Sequence, residues 1–203
     1  MRVITTLRNL SLGVATASFL LAGAAFAESS DLTGVTARLD HTIDAQNAQQ
    51  GQQVEAKLDR AVKTGSGLDL PKGTELMGMV SRVQASQNGG PSVVSLTFTK
   101  AELKDGKFVP VKVTLVGAYP SSAGGAAPYG MQTMGPAPRH ISPREKIDQE
   151  PGLLSHVSMV ASARGKNSAT FRDKDGNVKL NAGTYFQIGI APASGNTMMN
   201  AGA

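Results

Sequence analysis

The sequence predicts an all-β protein, a single β-barrel or sandwich of about seven to eight short strands. Three observations carry that reading. A nine-residue pattern with apolar residues two apart occurs twice, a Leu-x-x-Gly-Thr corner occurs twice, and an Asp-Gly turn sits between two β-rich runs. None has the 3.6-residue spacing of a helix facing a core.

The first repeat is Val35-Thr36-Ala37-Arg38-Leu39-Asp40-His41-Thr42-Ile43, matched by Val54-Glu55-Ala56-Lys57-Leu58-Asp59-Arg60-Ala61-Val62. In both copies positions one, three, five and nine are apolar, and a base and an acid hold positions four and six. Side chains alternate across a strand, so Val35, Ala37, Leu39 and Ile43 share one face, with Arg38 and Asp40 on the other. The polar, Gln-rich residues 44–53 connect the two strands. The corner occurs as Leu70-Pro71-Lys72-Gly73-Thr74 and as Leu180-Asn181-Ala182-Gly183-Thr184. At each corner the glycine supplies a positive φ and the threonine opens a strand, Met77-Gly78-Met79-Val80 following one and Gln187-Ile188-Gly189-Ile190 the other. Residues 93–103 and 108–116 form a hairpin about Lys104-Asp105-Gly106-Lys107, predicted as a type I′ turn. Pro110 lies on the opposite parity from Val109, Val111, Val113 and Leu115, which suggests an edge or bulged position. Shorter strands are predicted at 156–163 and 169–171.

The domain plan follows. Residues 1–27 read as a signal peptide: Arg2 and Arg8 precede a short apolar run, and Ala25-Phe26-Ala27 supplies a small-x-small site. Cleavage is expected between Ala27 and Glu28, leaving no membrane span in the mature chain. Residues 28–33 are a short linker, 34–118 and 153–190 the two parts of the β domain, and 191–203 a disordered tail. Residues 119–152, rich in Gly and Pro, read as a flexible insertion with a short helix near 144–149.

Composition narrows the function. The net charge of +5 falls by two, to +3, with loss of Arg2 and Arg8. The remaining bases are dispersed, so no nucleic-acid footprint is expected. Aromatic residues make up 4% of the chain and Trp is absent, so the core must be aliphatic and a glycan platform has little material. With no Cys there is no disulfide, no thiol nucleophile and no lipoprotein anchor.

No catalytic constellation stands out. His41, His140 and His156 lack a short ligand spacing, which makes a weak case for zinc. Asp173-Lys174-Asp175-Gly176-Asn177 has its glycine fourth rather than sixth and Thr184 twelfth, so a solvated turn is the better reading than a calcium loop. There is no Gly-x-Ser-x-Gly elbow; Gly65-Ser66-Gly67 reads as a flexible connection and Gly124-Gly125 as no phosphate cradle. Asp40 and Asp59 repeat because their strands repeat, and are expected to pair with Arg38, Arg60 or Lys57. Tyr129, Met131 and Met134 are the apolar residues of the insertion that could dock on a partner. No catalytic, cofactor-binding or metal residue is therefore expected, and no cofactor.

Three segments together resemble a known family: Gly34-Val35-Thr36-Ala37-Arg38-Leu39, then LPKGTELMGMV at 70–80, then VSLTFTKAELKDGKFVPVKV at 94–113. They are similar to the C-terminal periplasmic β-barrel of the conjugal-transfer TrbI family, the scaffold of type IV secretion cores. Residues 178–190 resemble that family's late Gly-Thr strand. The family's cytoplasmic tail, transmembrane helix and Pro-rich linker have no counterpart here, and 119–152 lacks the apolar helical character of its antenna. The resemblance implies an exported, non-enzymatic, periplasmic or secreted envelope protein that binds envelope proteins or itself. The alternatives are a cell-wall or polysaccharide-binding module, resting on Tyr119, Tyr129 and Tyr185, and less favourably a hydrolase.

Overall fold

A computed structural model describes residues 32–121, 146–154, 156–162 and 165–193; of 146–153 only the backbone is considered. These residues form thirteen strands. In chain order they are β1 Thr33–Leu39, β2 Ile43–Asp44, β3 Gln53–Leu58, β4 Val62–Lys63, β5 Asp69–Leu70, β6 Glu75–Gln84 and β7 Ser92–Glu102. There follow β8 Phe108–Tyr119, β9 Lys146–Leu154, β10 Val157–Ser162, β11 Ala169–Asp173, β12 Lys179–Leu180 and β13 Tyr185–Pro192. No described residue is helical. The all-β expectation holds, with more strands than expected because four of them are two-residue pieces at the corners.

Nine strands share one sheet in the order β6-β3-β1-β13-β8-β7-β11-β10-β9, and β6 also pairs with β7. That extra pairing closes β6-β3-β1-β13-β8-β7 into a six-stranded antiparallel barrel, which decides between barrel and sandwich. The period-two pattern explains the wall. Ala37, Leu39 and Ile43 from the first repeat and Val54, Ala56, Leu58 and Val62 from the second are all buried, and Val35 packs against the same core. Phe186 stands at the centre, its ring centroid 6.2 Å from that of Phe171 and 6.5 Å from that of Phe98.

The two sequence repeats combine into one structural unit used twice. The first copy of the strand repeat pairs with the second corner, and the second copy with the first. Ala37 faces Phe186 and Arg38 faces Tyr185 in β1–β13, as Ala56 faces Leu76 and Lys57 faces Glu75 in β3–β6. The small strands match as well, with Ile43 opposite Leu180 and Val62 opposite Leu70. The corner hydrogen bonds recur: Gly183 N donates to Leu39 O at 2.7 Å and Gly73 N to Leu58 O at 2.8 Å, while Leu39 N reaches Thr184 O and Leu58 N reaches Thr74 O, both at 2.9 Å. Gly183 and Gly73 have φ of 81° and 83°, the left-handed region the corner requires. Bulges also fall at matching places, between Gln187 and Ile188 on β13 and between Met77 and Gly78 on β6. The copies are thus related by an approximate twofold between β1 and β3, through the facing pair Arg38 and Lys57.

Several expectations change. The Asp-Gly hairpin is not type I′: of its residues only Gly106 has positive φ, and Gly106 N donates to Leu103 O while Leu103 N donates to Lys107 O. That is a type I turn closed by a glycine bulge, the other common solution for short hairpins. Pro110 lies on β8, which is paired on both sides, but beyond the last β13 pairing at Val111. Gly65-Ser66-Gly67 is an ordered turn rather than a loose connection, with Thr64 N bonded to Leu68 O and Thr64 Oγ1 accepting from Leu68 N. Where a helix was expected at 144–149, β9 runs from Lys146 and pairs with β10, Ala161 opposite Ile147. Strand pairing overrides the weak local periodicity of this polar stretch. β8 extends through Tyr119 and β13 through Pro192, into segments assigned to the insertion and the tail. The leader and its cleavage site, most of the linker, 122–145 with His140, Tyr129, Met131 and Met134, and the tail from 194 lie outside the described residues.

Candidate interaction surface

The symmetry fails at one seam, and the failure creates the most distinctive surface of the molecule. β7 and β8 pair only through Lys100, Ala101 and Glu102 against Pro110, Val109 and Phe108. Further along the same edge of β7, β11 takes over, placing Ala169 opposite Leu96 and Asp173 opposite Ser92. Ser168 is the wedge at the divergence. Its N donates to Leu96 O at 2.8 Å, its O accepts from Leu115 N at 3.0 Å, and its Oγ accepts from Phe98 N at 3.0 Å. One buried residue therefore ties both separating strands to the incoming chain.

From this seam β11, β10 and β9 continue the sheet beyond the closed wall as a three-stranded extension, with β9 last in the order and both β9 and β10 passing close to β8. Among the described residues nothing pairs with the far edge of β9, and Pro151 within it suits an edge position. An edge strand offers unpaired N–H and C=O groups to an added strand. Beside it, a shallow groove of about 370 Å³ is lined by Val160, Ser162, Lys166, Asn167 and Thr170 among others. Two of its lining residues are tied to neighbouring strands: Asn167 Oδ1 accepts from Ser81 Oγ at 3.1 Å and Thr97 Oγ1 at 3.3 Å, and the Thr170 and Ser95 hydroxyls lie 2.9 Å apart.

The residues weighed for chemistry are mostly accounted for by structure. Asp173 Oδ1 accepts from Asp175 N within its own loop, and Asn177 Oδ1 accepts from Ser86 N of the β6–β7 connection, so both have structural partners. Arg38 reaches Asp59 at 3.5 Å and lies 5.0 Å over the ring of Tyr185, which is buried. Lys57 pairs with Glu75 at 3.0 Å. The hydrogen bond and charge of Glu75, with Asp40 behind them, hold the Lys57 ammonium above the ordinary lysine range. His156 is exposed at the β9–β10 turn with a φ of 62°.

One grouping was not visible in the sequence. Asp40, His41 and Glu55 offer ligand atoms that all lie within 4.8 Å of one another. Asp40 N donates to Glu55 O at 3.0 Å, which sets the two acids side by side across β1 and β3. Only strand register reveals this, because Glu55 stands far along the chain in the other repeat.

No protein-family model matches the chain, and no curated protein matches it. Among solved structures it is similar to ComB10 of the Com type IV secretion system of Helicobacter pylori, with 12% sequence identity and a TM-score of 0.38, covering 80% of this chain and 85% of that one.

Proposed function

We propose that this chain is an exported, non-enzymatic envelope protein whose TrbI-like barrel binds other envelope proteins through the β9–β11 extension. The observation that carries the reading is the sheet's exit from a closed barrel onto β9, whose far edge has no pairing partner among the described residues. Barrel closure removes edges, so an edge built outside it is available for strand addition, in which main-chain bonds give affinity. The sequence supports the cellular setting through the leader and the three TrbI-like segments. Among the described residues no helix is long and apolar enough to cross a membrane.

The glycan-binding alternative is weaker. Tyr185, one of its three supports, is buried beneath Arg38 and unavailable as a platform. Cross-linking in intact cells through a tagged full chain tests the proposal. A defined set of envelope proteins is expected; recovery of the monomer alone, with binding to purified peptidoglycan, would replace it with the glycan reading.

A further inference from the structure

The approximate twofold supplies an internal control for the Asp40, His41 and Glu55 grouping. At the matching positions of the other copy stand Asp59, Arg60 and Thr36, and the matching backbone bond runs from Asp59 N to Thr36 O at 3.0 Å. That end is electrostatically settled: Asp59 faces an uncharged threonine and pairs with Arg38. At the first end two carboxylates face each other across the strands, an arrangement that ordinarily destabilises a sheet. Lys57 offsets this only in part, because its ammonium is bonded to Glu75, 3.0 Å away. Gln53 Nε2 donates to Glu55 Oε1 at 2.7 Å, which fixes the carboxylate and leaves its second oxygen for another partner. His41, exposed on the same rim, adds a nitrogen donor.

We propose that Asp40, His41 and Glu55 form a binding site for a divalent transition-metal cation, zinc being the cation their chemistry suits best. One imidazole and two carboxylates match its nitrogen and oxygen preference. Donors around a tetrahedral zinc ion stand about 3.4 Å apart, given bonds of about 2.1 Å. The three ligand atoms all lie within 4.8 Å of one another, at most about 1.4 Å beyond that spacing. Three protein ligands leave a coordination position open on the solvent side, for water or for a ligand from a bound protein. The site lies on the β1–β3 rim and stands apart from the proposed β9 surface.

Calorimetric titration of the full chain with Zn²⁺ tests this, with the cobalt(II) absorption spectrum as a second readout. One Zn²⁺ per chain is expected, with affinity falling more than about 100-fold in His41→Ala and in Glu55→Gln, more than loss of an outer partner costs. Asp59→Asn and Arg60→Ala, at the symmetry-matched positions, should leave the affinity unchanged. Circular dichroism of each variant checks the fold. The proposal is overturned if Zn²⁺ does not bind, if His41→Ala and Glu55→Gln bind as the parent does, or if Asp59→Asn weakens binding as much as they do.

Discussion

The β1–β13 and β3–β6 units share a backbone but fill it differently. Both use the Leu-x-x-Gly-Thr corner, the same corner hydrogen bonds and a bulge at the same place. Behind the bulge, the first unit sets Ile188 against Leu115 and the second sets Gly78 against Phe98. The second pair sets the smallest residue against a large ring and holds less side-chain volume than the two aliphatics of the first, and there the neighbouring backbone itself comes close to Gly78. At the outer small strands the charges are exchanged: Asp44 on the first strand meets Lys179 at 4.0 Å, while Lys63 in the same place meets Asp69 at 3.0 Å. Backbone geometry thus constrains the corner closely, whereas the packing behind it differs between the units and the surface keeps opposite charges without fixing which strand carries which.

If that contrast is right, substitutions at matched positions should differ in a set order. The largest effect is expected in the core. Phe186→Ala, which removes the ring between Phe98 and Phe171, should cost about 4 kcal/mol by urea unfolding, and Leu76→Ala at the matched position about 3 kcal/mol. Equal losses would argue against Phe186 as the centre of packing. Next comes Gly78→Ala, whose added Cβ would stand 2.3 Å from Thr97 O and 2.8 Å from the Phe98 ring. Overpacking of this kind should cost about 2–3 kcal/mol, partly recovered by Phe98→Leu, which copies the other unit.

The corners come third. Gly73→Ala meets open space and should cost only the left-handed backbone penalty, about 1–2 kcal/mol. Gly183→Ala adds a contact at 2.8 Å from Ser121 Oγ and should cost more. The smallest effect belongs to the exposed Lys57–Glu75 pair, about 0.2–1 kcal/mol from a double-mutant cycle. Because the folded-state pKa of Lys57 is raised, its contribution is complete below the unfolded value near 10.5 and is lost as pH climbs through the folded value. The coupling should therefore be constant at neutral pH and shrink above about pH 10.5; a coupling that grows there would contradict the assignment.

Much of the wall was legible because alternation reports burial directly. Ala37, Leu39, Ala56 and Leu58 could be placed inward from the sequence, and both corners located from Gly73 and Gly183. What the repeats do together was not legible, since neither repeat states that the first strand copy pairs with the second corner. Closure through β6 and β7, the Ser168 wedge and the meeting of Asp40 with Glu55 depend on register between distant segments. β9 escaped for a different reason: a polar edge strand draws its bonds from β10 and carries little alternation of its own.

The account rests most heavily on β9 as the binding edge. A photo-cross-linking residue placed at Asp148 of β9, and in a separate chain at Thr36 on β1 of the barrel wall, would test it in intact cells. Envelope proteins cross-linked from position 148 but not from position 36 are the expected result. Equal cross-linking from both positions, or none from position 148, would contradict it.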